Sequence, residues 1–226
     1  MTSHSDRHNR MPRRHELIFV SPAAWRTLLQ TRDDLARDLL VAGWVDRGWP
    51  LVARRRLPEE EPGVALGLPL PPFAGKRRLS ILLRPDDIVS TSPPPRLRDA
   101  IGVAPSRWRP AMEEIVSLAW RHGVEARIFG SLAWQTLTGL QYLTGSSDLD
   151  LLLSIPRGSD LAALTAELAA IEATAAMRFD GELVSDNGAG VNWRELHAGS
   201  PELLIKTMAG VALLDRGVFV GSEIRS

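Results

Sequence analysis

Two aspartates, Asp148 and Asp150, open an apolar run that continues as Leu151, Leu152 and Leu153. On a strand, alternate residues lie roughly 6–7 Å apart on one face. Two carboxylates so placed repel by roughly 2–3 kcal/mol at an effective dielectric near 20. Aspartate is also a poor strand former. A divalent cation between the two would remove that penalty, and Mg²⁺ above all takes carboxylate together with phosphate oxygens. Taken alone, an Asp-x-Asp is better explained by two solvated acids at the start of a strand. Its context changes the balance. Upstream, Gly130-Ser131 stands where an apolar strand hands over to a helix. Glycine admits a close approach of the backbone, and the first N–H groups of a helix, with the Ser131 hydroxyl, can bind phosphate oxygens. A third acid would complete a metal site. Asp180 and Glu182 alternate on a later strand; Asp180 is the favoured third carboxylate and Glu182 the fallback. Such a trio suits in-line displacement at phosphorus, where cations stabilise the attacking and leaving oxygens.

The elements that must hold these residues follow from periodicity and punctuation. Strands are expected over 124–129, 148–155, 177–185 and 191–196, with a further strand at 203–207. Helices are expected over 110–122 and 131–137, and over an alanine-rich stretch capped by Ser159. A last helical stretch is expected up to Asp215. The loop Asp186-Asn187-Gly188-Ala189-Gly190 reads as a hairpin turn. Upstream, Glu16 to Val20 reads as a strand. Ser21-Pro22 follows as N-cap and first helical residue, opening a helix over 22–30. Further strands are expected at 50–56, 64–68 and 79–83. Asp86-Asp87 marks a turn or a helix start. The proline run at 92–96 is the best boundary, because prolines continue neither a helix nor a central strand. The chain therefore divides into a polar leader over 1–14, expected to be disordered, a smaller α/β N-terminal domain over 15–91, the linker, and a catalytic domain over 97–226.

Composition narrows the function classes. The 226 residues carry 27 Lys+Arg and 27 Asp+Glu, so bulk charge does not call for nucleic acid. Any anion site must be local. Cysteine is absent, which removes thiol nucleophiles and Cys-based zinc sites and suits a reducing cytoplasm. No apolar run reaches the roughly 20 residues of a membrane span. Local cation sites are Arg54, Arg55 and Arg56 at a strand end and Lys76, Arg77 and Arg78. Either could meet the donor of a transferred group or an acidic protein, and a solvated strand end explains any one of them equally well. Lys206 could contact a phosphate or reach to solvent. Arg194 could clamp phosphate or pair with Glu195. His15 and His197 read as structural or surface residues, and Trp134 as core.

The pattern Phe129-Gly130-Ser131, then Ser147-Asp148-Leu149-Asp150-Leu151, resembles the signature of the nucleotidyltransferase superfamily. The longer run Ile128 to Gly139, with Tyr142-Leu143-Thr144 and Ser147 to Leu152, is similar to the phosphoribosyl-dephospho-CoA transferases of the malonate decarboxylase system. Asp180-Gly181-Glu182, Val191 to Glu195, Leu51 to Arg56 and Lys76 to Arg78 fit the same family. The resemblance covers nearly all of the chain after about residue 14. It implies an α+β fold with a nucleotidyltransferase-like mixed sheet and flanking helices. It implies a donor, 2′-(5″-triphosphoribosyl)-3′-dephospho-CoA, attacked by a serine of an acyl carrier protein, with pyrophosphate leaving. By this analogy Asp148 and Asp150 hold Mg²⁺, with Mn²⁺ as the alternative ion, and Asp180 either completes the metal shell or helps to deprotonate the serine hydroxyl. Gly130 and Ser131 hold phosphate, and Arg54, Arg56, Lys76, Arg77 and Lys206 contact donor or carrier. Two other readings stand beside it: a transferase using an ordinary nucleoside triphosphate, and a non-catalytic module that binds a nucleotide or the carrier.

Overall fold

Capping side chains start the first helices where the sequence places them. In the computed structural model, which describes residues 12–224, β1 (Leu17–Val20) leads directly into α1 (Pro22–Thr31). Ser21 Oγ accepts the Ala24 N–H at 3.1 Å, with Pro22 at the first helical position. Two single-turn helices follow, α2 (Asp33–Ala36) and α3 (Leu39–Ala42), the second capped by Asp38. Then come β2 (Leu51–Ala53), β3 (Val64–Pro69), β4 (Arg78–Leu83) and β5 (Ile88–Ser92). The five strands form one sheet in the order β4-β3-β2-β1-β5, each neighbour antiparallel. Its core holds Ile18, Trp25, Leu51, Leu66 and Leu68, and the buried indoles are satisfied. The Trp25 N–H donates to the carbonyls of Val41 and Ala42, and that of Trp44 to Pro50 O at 2.9 Å.

The chain divides between Pro93 and Pro94 into two compact units. The second contains α4 (Leu97–Ala100), α5 (Arg109–Arg121), β6 (Glu125–Ile128), α6 (Gly130–Thr138), β7 (Leu149–Ser154) and α7 (Leu161–Thr174). It continues through β8 (Phe179–Val184), β9 (Gly190–Asn192), α8 (Trp193–His197), β10 (Glu202–Lys206), β11 (Val211–Asp215) and α9 (Arg216–Ile224). Its strands order β11-β10-β9-β8-β7-β6. β7 and β8 run parallel, joined by α7 as the crossover that parallel neighbours require. The other neighbours are antiparallel, so the sheet is mixed and the fold is α+β. Leu149, Leu151 and Leu153 of β7 and Phe179 and Leu183 of β8 pack in one core with Met112, Ile115, Leu164 and Leu168 from the helices.

Several boundaries differ from expectation for visible reasons. The strand expected over 50–56 stops at Ala53, because the chain turns at Leu57, whose N–H donates to Glu60 Oε2 at 2.8 Å. β5 was not foreseen; an edge strand with three exposed residues of five carries little apolar pattern. α7 is capped by Asp160, which accepts the Ala163 N–H at 2.9 Å, while Ser159 donates to Pro156 O instead. The strand expected over 191–196 ends at Asn192, which caps α8. The last helix expected before Asp215 is β11, an apolar run that fits either period. The turn closed by Thr207 N–H on Gly210 O (2.8 Å) commits it to pairing with β10. The helix begins only after Asp215, whose Oδ1 accepts the Gly217 N–H at 2.7 Å. Of the leader expected over 1–14, residues 1–11 lie outside the described residues. The Arg13 N–H donates to Glu16 Oε2 at 2.8 Å.

Candidate active site

The parallel register of β7 and β8 sets Asp150 directly beside Asp180, and Leu152 beside Glu182. Neighbouring strands lie about 4.8 Å apart, so two acids from distant parts of the sequence share one position on the sheet. Their faces are set by alternation: Leu149, Leu151, Phe179 and Leu183 are buried, while Asp150 is half-buried and Asp180 exposed. Asp148 stands one residue before β7 and is also half-buried. The strand is pinned there by the Leu149 N–H, which donates to Arg178 O at 2.9 Å.

Gly130 opens α6 at φ +63°, and it lies against Asp150. A Cβ built on it would sit 1.8 Å from Asp150 Oδ2. No side chain fits, so glycine is required both by the space and by the left-handed backbone. The Phe129 N–H donates to Asp150 O at 3.1 Å, tying the strand-to-helix turn to β7. The N-cap residue of α6, Phe129, makes no side-chain cap, and the first turn of the helix opens beside Ser131 with Asp150 against Gly130. The long segment from α6 to Asp148 is organised by a residue that sequence reasoning passed over. Gln135 Oε1 accepts the N–H groups of both Tyr142 and Leu143 at 3.1 Å. Ser147 Oγ accepts the Thr144 N–H at 2.9 Å. Trp134 is core, as expected, with its ring 6.4 Å from that of Tyr142, and burial pushes the Tyr142 hydroxyl pKa upward.

The two candidates for third acid have different surroundings. Glu182 is buried, and Lys206 donates to its Oε1 at 3.1 Å. Asp180 is exposed, and Asn192 Nδ2 donates to its Oδ1 at 3.3 Å. Lys206, expected as a phosphate contact, thus spends a donor on Glu182, with its side chain about a third exposed. Arg194 pairs with Glu172 rather than with Glu195, and its guanidinium also donates to Phe179 O at 3.1 Å. Glu195 instead accepts the Leu204 N–H at 2.8 Å.

The cations of the first unit are largely engaged by neighbours in that unit. Arg54 forms a two-pronged pair with Glu60 and donates to Leu66 O at 3.1 Å. Those contacts, Arg54 first, hold the Glu60 carboxyl down to about 2. Arg56 donates to Glu60 O at 2.7 Å. Arg77 faces Asp38 at 3.3 Å. Lys76 is exposed and sits at φ +50° after Gly75, in the tight turn before β4.

Comparison with known proteins decides the family. Residues 13–94 match the N-terminal domain of phosphoribosyl-dephospho-CoA transferase MdcG, and residues 96–217 match its C-terminal domain. The chain belongs to this family. A phosphoribosyl-dephospho-CoA transferase of Bradyrhizobium diazoefficiens is 52% identical over 226 residues, the whole of both chains. One from Xanthomonas campestris pv. campestris is 38% identical over 174 residues, covering 76% of this chain and 82% of the relative. One from Pseudomonas putida is 31% identical over 204 residues, covering 90% and 93%. No solved structure matches.

As a member of the phosphoribosyl-dephospho-CoA transferase family, the chain is an enzyme, a transferase of the nucleotidyltransferase type. Among the described residues no three His, Cys, Asp or Glu side chains converge into a cage for a metal ion, and no helix is long and apolar enough to cross a membrane. A protein-only cage is not what Mg²⁺ uses in phosphoryl chemistry. It takes one or two carboxylates and fills its shell with water and substrate phosphate. Asp150 beside Asp180, with Asp148 entering the same strand, fits that donor set.

Proposed function

We propose that this enzyme transfers the phosphoribosyl-dephospho-CoA group from 2′-(5″-triphosphoribosyl)-3′-dephospho-CoA to a serine of the acyl carrier protein of malonate decarboxylase. The single observation that supports it best is the register pair Asp150 and Asp180 with Gly130 packed against the first. It supports a cation held by these acids beside a helix start suited to phosphate. The family membership supports the transferred group: every relative compared above carries phosphoribosyl-dephospho-CoA transferase as its name.

In this reading the α6 N–H groups and the Ser131 hydroxyl bind the outer phosphates and orient the α-phosphate for attack. Asp150 and Asp180, with Asp148 entering the same strand, would hold Mg²⁺ or Mn²⁺ through one or two carboxylates, the rest of the shell coming from water and donor phosphate. A bound ion would supply charge neutralisation on the triphosphate and on the leaving group. The carrier serine oxygen forms a bond to the α-phosphorus and the bond from that phosphorus to the bridging oxygen breaks. Pyrophosphate departs with the electron pair, and the hydroxyl proton passes to water. Arg56, Lys76, Arg77 and Arg54 remain candidates for contact with donor or carrier.

Incubation with apo-carrier, donor and Mg²⁺, followed by intact mass measurement of the carrier, tests this directly. The expected outcome is a mass gain equal to the transferred group, lost in an Asp148→Asn plus Asp150→Asn variant. No gain with the wild-type chain, or a gain that survives both substitutions, rules the reading out. Labelling from ATP without the CoA-derived donor would point to an ordinary nucleotidyl donor instead.

A further inference from the structure

We infer that Asn192 is a positioning residue that aims the Asp180 carboxylate, an inference that rests on the proposed role of Asp180. Asn192 ends β9 opposite Glu182 and at the same time caps α8. Its Oδ1 accepts the Arg194 N–H at 2.9 Å, and its Nδ2 donates to Asp180 Oδ1 at 3.3 Å. A side-chain amide has one accepting and one donating end. The helix N–H claims the oxygen, so the amino group is the end left for Asp180. The cap therefore decides the orientation of the amide, and the amide offers Asp180 a donor.

Capping alone does not call for asparagine. Aspartate and serine cap about as well. Aspartate would turn an acceptor toward another carboxylate, and serine brings no amino group across. Of the good capping residues, asparagine is the one that closes the helix with one atom and extends a separate donor one bond further to an acid beside it.

The surrounding bonds show that the same three residues hold the backbone at this point. Trp193 Nε1 donates to Phe179 O at 3.4 Å, and Arg194 donates to that carbonyl at 3.1 Å. Glu172, paired with Arg194, accepts the Phe179 N–H at 2.6 Å. Gly181, on the other side of Asp180, packs against Trp193, where an added Cβ would meet Cδ1 at 2.7 Å. Asn192, Trp193 and Arg194 thus grip Phe179, Asp180 and Gly181 together. Asp180 is exposed and sits on the sheet beside Asp150. With Oδ1 held by Asn192, its second oxygen is left for a cation on the Asp150 side.

The test uses the full chain, with Mn²⁺ as the probe and its binding read by electron paramagnetic resonance. Asn192→Ser keeps a capping hydroxyl and removes the Nδ2 amino group, its hydroxyl ending one bond short of the place Nδ2 occupies. Its melting temperature is expected within a few degrees of wild type, with Mn²⁺ affinity three- to tenfold weaker. In an Asp180→Asn background the same substitution should change Mn²⁺ affinity by less than twofold, because the group it aims is gone. Unchanged affinity in Asn192→Ser, or an equal loss in both backgrounds, overturns the inference. A wild-type chain that binds no Mn²⁺ and labels no carrier overturns the proposed reaction, and the inference with it. A wild-type chain that does both, while Asn192→Ser matches it, overturns the role of Asn192 alone.

Discussion

Two charged clusters, one in each unit, are built in opposite ways. Arg54 in the first unit meets Glu60 only six residues along the chain, in a pair that closes on itself. Asp150 in the second stands in register with another acid, Asp180, across a parallel strand pairing, and the side chain that donates to Asp180 is the neutral amide of Asn192. A local ion pair can be formed by any turn that brings two residues together. Like charges held side by side need a fold that imposes the contact, and they gain by admitting a cation. The basic cluster near β2 therefore reads as a structural clasp for the 54–60 turn. The acids on β7 and β8 are those that the proposed reaction would use.

The comparison is broken most sharply at Asp150. Asp150→Asn is expected to lower the transfer rate about a hundredfold or more, roughly 3 kcal/mol of barrier, with the melting temperature unchanged or raised. Steady-state labelling of the carrier checks it. A variant that keeps its rate would make the acid pair as structural as the Arg54–Glu60 pair.

Gly130→Ala comes next. Its Cβ would displace Asp150 Oδ2, and the residue would sit at positive φ, so about 1–3 kcal/mol of stability and at least tenfold in rate should be lost. Urea unfolding and the labelling assay separate the two effects.

Lys206→Met tests the third kind of charge, the Glu182–Lys206 pair. Glu182 is buried, but Lys206 is about a third exposed, which discounts the cost to about 1–2 kcal/mol by urea unfolding. A much larger loss in rate than in stability would place Lys206 at the substrate.

The smallest effect is expected at Glu60. Its folded pKa is depressed from 4.5 to about 2 by Arg54. The stabilisation is therefore present above pH 4.5 and is lost as pH falls from 4.5 toward 2. Glu60→Gln should flatten the pH dependence of stability in that window while leaving transfer at neutral pH unchanged. Melting curves taken across the window test it.

How much of this was legible beforehand varies with the range of the interaction. Ser21 and Pro22, Gly130 and the leucine alternation of β7 act over a few residues, and the elements they announce form where they announce them. For Arg194 the sequence offers a phosphate or its neighbour Glu195, whereas its partner is Glu172 on another helix. Asn192 was read as part of a strand, although the same residue ends the strand and caps the next helix. β11 was read as helix because an apolar run without strict alternation fits both periods until a partner strand is present.

The sequence by itself determined which residues could carry the chemistry. A glycine at a strand-to-helix turn, two alternate aspartates and a later acidic pair are visible as residue types at given spacings. Tertiary structure alone decided which of those acids meet and what each one faces. The parallel register puts Asp180 beside Asp150 and Glu182 beside Leu152, and β9 and β10 then deliver an amide to one acid and an ammonium to the other. The physical reason is that strand alternation sets only the face on which a side chain lies. Its neighbours on that face come from strands far away in the chain, and a shift of one residue in register would exchange them all.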